Sequence, residues 1–395
     1  MDILEIIGRE KKLFQNDIES LKAELSKTVS TSKFLVLGGA GSIGQAVTKE
    51  IFKRNPKKLH VVDISENNLV ELVRDVRSAL GYISGDFKTF VLDIASEEYD
   101  MFITEDGQYD YVINLSALKH VRSEKDPYTL MRLMQVNIFN TEKTLQQSIQ
   151  KNVKKYFSVS TDKATNPVNV MGASKKLMEM LLISYSNEIQ VSSARFANVA
   201  FSDGSLLYGF EKRILKQQPL VAPNDIKRYF ITAQESGELC LLSCIFGDNR
   251  DLFFPKLNSQ EHLKGFPAIT KRYLNTIGFA AFECKTEEEA RQLVKTLPKE
   301  GKWPCLFPAT ITTGEKDIEA FYTENEVLDQ KRFEDIGIIK KEFQNHKATL
   351  EAFSEQISKW KTSHKRKKQE LIKIFEQAIP NFTHDEKDNH LDQQM

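Results

Sequence analysis

Residues Lys33–Gly44 read K-F-L-V-L-G-G-A-G-S-I-G. Lys33–Leu37 is an apolar run of the length of a buried strand. Gly38, Gly41 and Gly44 follow it in G-x-x-G-x-x-G spacing. Between a strand and a helix, the first glycine permits a tight turn and the second lets the backbone approach a pyrophosphate. The third lets the helix lie close to the strand. The helix is expected over Ser42–Arg54, with the amides at its start, at Ser42 and Ile43, aimed at the phosphates. A second strand, Leu59–Val62, ends in Asp63, 19 residues past Gly44. A carboxylate there accepts the ribose hydroxyls of an adenine dinucleotide.

That carboxylate repels a 2′-phosphate, and Ile64, Ser65 and Glu66 supply no arginine, so NAD is expected over NADP. Working outward, Lys88–Leu92 is a third strand, ending at Asp93 and Ile94 on the adenine edge. Tyr111–Leu115 is a fourth, and Ser116 and Ala117 beyond it are small and let the nicotinamide half pass. Asn137 opens a helix running to about Gln150, its side chain tying neighbouring backbone together. Strands alternating with helices imply an α/β chain with a doubly wound parallel sheet.

A fifth strand, Lys155–Val159, leads into Ser160–Lys175, S-T-D-K-A-T-N-P-V-N-V-M-G-A-S-K, and then an apolar-periodic helix, Ser174–Ser186. Strand ends that open into a polar loop and a helix carry the chemistry of α/β enzymes. Thr161, Asp162 and Lys163 place a hydroxyl, a carboxylate and an amine on consecutive residues, and Lys175 adds a second amine. A carboxylic acid beside a lysine base is what a proton-shuffling elimination needs. For that chemistry the Lys163 pKa must fall and the Asp162 pKa must rise. A polar turn with a helix cap would use the same residue types.

The chain has 395 residues, with 55 Lys and Arg against 55 Asp and Glu. A net charge of zero carries no global signal for nucleic acid or an anionic membrane. Cys240, Cys244, Cys284 and Cys305 have no zinc-type pairing with histidines, so no metal is expected and the thiols read as reduced, in a cytoplasmic setting. Met1–Ser26 alternates apolar and charged residues without a signal-peptide pattern. No apolar run reaches the roughly 20 residues of a transmembrane segment.

Gly38–Gly44, Asp63, N-L-S-A-L-K-H-V at Asn114–Val121 and Ser160–Lys175 together resemble the extended short-chain dehydrogenase/reductase superfamily. Within it the chain resembles the UDP-N-acetylglucosamine 4,6-dehydratases of bacterial polysaccharide biosynthesis, from about Lys33 to Phe254 with a short further match near Thr313–Asp317. The resemblance implies a Rossmann-type sheet with a smaller α+β substrate-binding region and helical N- and C-terminal extensions. It implies NAD as cofactor, a nucleotide-sugar substrate and a homo-oligomer, with no nucleic-acid partner. The superfamily's tyrosine, four residues before Lys175, is replaced by Met171. A thioether cannot take a proton from a sugar hydroxyl. A methionine-bearing subgroup of these dehydratases retains configuration at carbon 5, and the resemblance places the chain there. Thr161, Lys163 and Lys175, the last through a cofactor ribose hydroxyl, remain as routes for the carbon-4 hydroxyl proton.

On the substrate side, R-F-A-N-V at Arg195–Val199 resembles a family segment whose asparagine, here Asn198, meets the nucleotide-sugar. Lys119, Ser205 in the loop Ser202–Ser205, and Arg228 in Lys227–Phe230 are implied substrate contacts by the same resemblance. In Ile311–Lys316 the family's arginine is replaced by Thr312, which Arg228 or Lys212 would have to offset. The expected organisation is an amphipathic helix over 1–30 and an NAD-binding domain over 31–200 to which 230–255 returns. A substrate-binding region follows over 201–330, with an α+β insertion at 266–308. A C-terminal amphipathic helix over 331–380 and a disordered tail over 381–395 complete it. Two other readings use the same scaffold: a nucleotide-sugar epimerase, and a non-catalytic nucleotide-binding protein suggested by Met171 and the terminal helices.

Overall fold

The computed structural model of the chain describes residues 2–120, 124, 126–310, 314 and 316–385. Six strands alternate with helices: β1 (Lys33–Leu37), β2 (Lys58–Asp63), β3 (Asp86–Val91), β4 (Tyr111–Asn114), β5 (Lys155–Thr161) and β6 (Gln190–Phe196). They pair in parallel in the order β3-β2-β1-β4-β5-β6. Asp251–Pro255 adds a further parallel strand beside β6, and Ile336–Lys340 and Val327–Asp329 close that edge antiparallel. Strand order reverses between β1 and β4, and the crevice at the strand ends there is where such sheets bind ligands.

Both faces of the sheet are covered, which is why its strands read as apolar runs. Phe34 and Val36 of β1 enter one core, with helices Gln15–Ser30, Ser42–Phe52, Glu66–Leu80 and Ala233–Phe246. Leu35 and Leu37 enter the other, with Glu97–Asp106, Pro127–Met134, Asn140–Gln150 and Val170–Tyr185. A second lobe holds two small sheets. One joins Asn198–Val199, Lys227–Ile231 and Leu263–Gly265; the other joins Leu220–Val221, Lys302–Leu306 and Ala280–Glu283. The segment 266–308 thus shares a core with the rest of that lobe, including Phe210, Phe230, Phe266 and Trp303.

Four expectations change. The single helix expected over 1–30 is two: Ile3–Ile6 on the second lobe and Gln15–Ser30 on the sheet. Gly8 and Phe14 take left-handed backbone, and the turn between them brings Arg9 to a buried ion pair with Glu235 at 2.6 Å. Asn137 does not open a helix: the helix begins at Pro127, and Asn137 sits in a π turn, Gln135–Phe139. The long C-terminal helix is the strand Ile336–Lys340 followed by two helices, Lys347–Thr362 and Lys368–Ala378. Leu350, Phe353, Ile357 and Trp360 keep helical phase with Leu371, Phe375 and Ala378 across the turn, so the period hides the break. The basic run His364–Lys368 lies mostly in that turn. Finally, the tail is packed as far as it is described: Phe382 is buried and the Asp385 amide donates to Val168 O at 2.9 Å.

Beneath the end of β5 lies a buried ionic network. Arg195 of β6 is fully buried and forks onto Glu179 (2.8 Å) and Glu326 (2.9 and 3.0 Å), and it donates to Phe321 O at 2.8 Å. Ser160 of β5 donates to Glu179 at 2.7 Å. Burial raises the Glu179 carboxyl, but Arg195, with help from Lys176 and Ser160, outweighs it and holds the pKa at about 2.

Removing Arg195 would take the guanidinium from the buried Glu179 and leave Glu326 with Lys341 as its ion-pair partner. Arg195→Met should therefore lower unfolding free energy by about 3–5 kcal/mol, the scale for breaking a buried ionic cluster. The Glu179 pKa is depressed in the fold, so its stabilisation is fully present above its ordinary value of 4.5 and is lost as pH falls from there towards 2. Denaturation midpoints followed down this range check both statements; parental stability in the variant would refute the first.

Candidate active site

The turn after β1 holds strand and helix in close contact. Gly38 lies at φ +69°, and a Cβ there would come within 2.7 Å of Ser116 N, so the ends of β1 and β4 touch. A Cβ on Gly44 would strike Gly38 O, which shows how close the helix Ser42–Phe52 sits to the turn. A Cβ on Gly41 would meet protein no nearer than 3.8 Å, so space is open beside that glycine. Asp63 accepts from Ala40 N (3.0 Å) and Ser65 N (2.9 Å), which fixes its carboxylate while leaving acceptor capacity. Asp93 is braced by Ala95 N at 2.9 Å and Arg132 at 3.3 Å, and Ile94 beside it is buried. Asn137 bridges Leu118 N (2.9 Å), Leu118 O (3.0 Å) and Ser174 (2.9 Å), and so carries the expected tying role from its π turn.

At the end of β5, Thr161 donates to Asp162 Oδ1 at 2.9 Å, and Lys163 Nζ donates to the same oxygen at 3.0 Å. Lys163 also reaches Asn198 at 3.4 Å and lies 3.9 Å from Glu319. The structure thus brings Thr161, Asp162, Lys163 and Asn198 together. Arg228 is buried and donates to Asp317 O at 3.0 Å, on the same segment as Glu319. The following helix begins at Val170, earlier than expected, because Asn169 caps it by accepting Gly172 N at 2.7 Å. Met171 therefore sits in its first turn, buried. Lys175, one turn on, donates to Val159 O of β5 at 3.1 Å, and burial pushes its pKa down to about 8.

The loop 202–205 spans the crevice. Ser42 accepts Asp203 N at 2.8 Å, Lys119 donates to Ser202 at 3.2 Å, and Ser205 caps the helix Leu206–Leu215 by accepting Tyr208 N at 3.2 Å. Thr312 lies outside the described residues. Lys163 departs from expectation. Burial favours its neutral form, but Asp162 and then Glu319 outweigh it and hold the pKa above the ordinary lysine value, with Arg228 opposing. Sequence reasoning missed Glu319, buried and paired with Lys316 at 3.3 Å, because nothing in its spacing links it to β5.

The family described as polysaccharide biosynthesis protein matches residues 34–341. The chain belongs to that family. Among curated relatives, an uncharacterized membrane protein of Methanocaldococcus jannaschii is 28% identical over 80% of this chain and 88% of its own length. The capsular polysaccharide biosynthesis protein CapD of Staphylococcus aureus is 25% identical over 85% of this chain but 51% of its own, so the chain spans about half of that relative. A UDP-N-acetylglucosamine 4,6-dehydratase (inverting) of Campylobacter jejuni is 27% identical over 58% of this chain and 67% of its own. Among solved structures, Pen from Bacillus thuringiensis superposes with a TM-score of 0.65 at 23% identity, over 80% of this chain and 89% of that one. A dTDP-glucose 4,6-dehydratase from Streptomyces venezuelae, solved with NAD and TYD bound, gives 0.55 at 16% identity, over 73% and 88%. At these identities the solved structures establish a shared fold, the Rossmann-like α/β sheet described above. Among the described residues, no helix is long and apolar enough to cross a membrane.

The Glu319 carboxylate makes Lys163 harder to deprotonate. In Glu319→Gln the Lys163 amine should titrate at lower pH than in the parent, read by NMR on lysine-labelled protein with Lys163→Arg for assignment. An unchanged titration would mean that Glu319 exerts no field there.

Proposed function

We propose that this chain is an NAD-dependent nucleotide-sugar 4,6-dehydratase. Its substrate would be UDP-N-acetylglucosamine and its product the UDP-2-acetamido-2,6-dideoxy-4-keto-hexose, with configuration at carbon 5 retained. The observation that carries the reading is the hydrogen-bonded run Thr161–Asp162–Lys163 at the end of β5. An epimerase has no leaving hydroxyl to protonate and no need of that acid. Named relatives include both reactions, the Campylobacter dehydratase and UDP-glucose 4-epimerases of Rickettsia.

The open Gly41, the left-handed Gly38 and the braced Asp63 suit a dinucleotide. Ser42 and Ile43 would hold its diphosphate, Asp63 the adenosine ribose, Asp93 and Ile94 the adenine edge, and Ser116, Ala117 and Lys175 the nicotinamide half. When bound, NAD supplies the hydride acceptor for carbon 4 and the hydride returned at carbon 6. Lys119, Asn198, Ser205 and Arg228 would hold the nucleotide-sugar.

The chain's own groups then account for every proton. With Met171 unable to act, Thr161 takes the carbon-4 hydroxyl proton and passes it along its existing hydrogen bond to Asp162. Protonated Asp162 delivers that proton to the departing carbon-6 hydroxyl, which leaves as water. Protonating Asp162 also removes the larger of the two charges that keep Lys163 an ammonium. Lys163 then sheds its proton towards Glu319, removes the one on carbon 5, and restores a proton there from the same face. One amine working on one face gives retention.

Mass spectrometry of the parent protein with UDP-N-acetylglucosamine should show loss of one water; an isomer of unchanged mass would make it an epimerase. Asp63→Ala should weaken NAD by about 1.5–3 kcal/mol, the scale of hydrogen bonds to a charged group. Calorimetry showing that the parent binds NADP as well as NAD would sink the Asp63 assignment. In Asp162→Asn, deuterium uptake at carbon 5 and loss of water should fall together, by roughly 10²–10⁴. Uptake that persists while water loss stops would mean that Asp162 is the acid only and that the carbon-4 proton leaves by another route.

A further inference from the structure

The family match ends at residue 341, yet the chain beyond it returns to the site. Helices Lys347–Thr362 and Lys368–Ala378 pack on the helix Val170–Tyr185, the one that carries Met171 and Lys175. Phe382 follows them into the same core, and the Asp385 amide holds Val168 O just before that helix begins. Between these two anchors lies His384, its side chain 3% exposed, with Nε2 2.8 Å from Glu124 Oε2. Glu124 is buried too. Its other oxygen accepts the Met171 amide at 3.2 Å, and Lys368 lies 4.0 Å away.

The arrangement has a physical logic. A buried carboxylate needs partners, and among the described residues Glu124 has three: an amide in a helix's first turn that lacks an intrahelical acceptor, a histidine and a lysine. The last two come from the chain beyond the family match. The amide is that of Met171, where the superfamily's tyrosine would stand. Glu124 itself follows β4 in the chain, eight residues after Ser116, which the dinucleotide reading sets on the nicotinamide side. One carboxylate therefore joins Glu124's position after β4 to the start of the reaction helix and to the C-terminal segment.

We propose that His384 and Glu124 are positioning residues: the C-terminal segment, through His384, holds Glu124 so that it fixes the first turn of the helix and with it Lys175. This rests on the dehydratase reading for its effect on turnover, but not for its effect on the helix. In full-length His384→Ala, kcat should fall, up to about 100-fold for a displacement at the reacting groups, with KM close to the parent's. His384→Gln keeps an amide donor near the place of Nε2 and should restore most of the turnover. Hydrogen exchange of the peptide around Met171 should be about tenfold faster in His384→Ala, the scale of one lost hydrogen bond, and near-parental in His384→Gln. Thermal melts of both variants run beside these measurements. Parental exchange and parental kcat in His384→Ala would overturn the proposal. So would a loss that tracks melting temperature and is not rescued by glutamine, since that describes a structural contact only. If the parent itself fails to dehydrate the sugar, the dehydratase reading falls, and the exchange measurement alone decides the positioning role.

Discussion

The buried guanidinium of Arg195 is the constraint on which the site depends. It joins β6 to the helix Val170–Tyr185 through Glu179, to β5 through the Ser160–Glu179 bond, and to the chain leading into the outer strand Val327–Asp329 through Glu326 and Phe321 O. A charge taken out of water tolerates little displacement of its partners, because any gap leaves desolvation uncompensated. Thr161 follows Ser160 directly, so the geometry of the hydroxyl, carboxylate and amine is set by a network one residue beneath them. The cost of burying the ions is returned as position.

Above that network the two lobes meet on one amine. Lys163 comes from the turn after β5, while Asn198 and Arg228 reach its neighbourhood from the second lobe and Glu319 from the chain that follows it. Asn169 Nδ2 donates to Gly314 O at 2.7 Å, so Gly314 is also fastened to the cap of the helix Val170–Tyr185. The protonation of Lys163 is thus a property of the lobe arrangement. In isolation the loop after β5 would place a lysine beside one carboxylate; in the fold it lies beside two.

The C-terminal hairpin gives the helix Val170–Tyr185 a covering from the same chain. Leu350, Phe353, Ile357, Leu371 and Phe375 are buried in a core that also holds Met171, Leu177 and Leu181. Burial on this side and the sheet on the other leave that helix little freedom. The tail that completes the hairpin carries His384 to Glu124.

The sequence by itself determined the parallel sheet, the glycine turn, Asp63 and the run Thr161–Lys163. Each is written in local spacing: apolar strands of fixed length, glycines three apart, and a polar loop where a strand ends. It also marked Met171 as a departure, since position alone shows which residue replaces a tyrosine. It did not determine where helices break when the apolar period runs on, as from Trp360 to Leu371, or when one glycine is the sole cue, as at Gly8. Nor did it reveal the protonation of Lys163 or the roles of Glu319, Glu124 and His384. A pKa depends on which charges surround a buried group, and those charges come from segments far apart in the chain. Only the tertiary structure brings them within a few ångströms of each other, and that distance decides the chemistry.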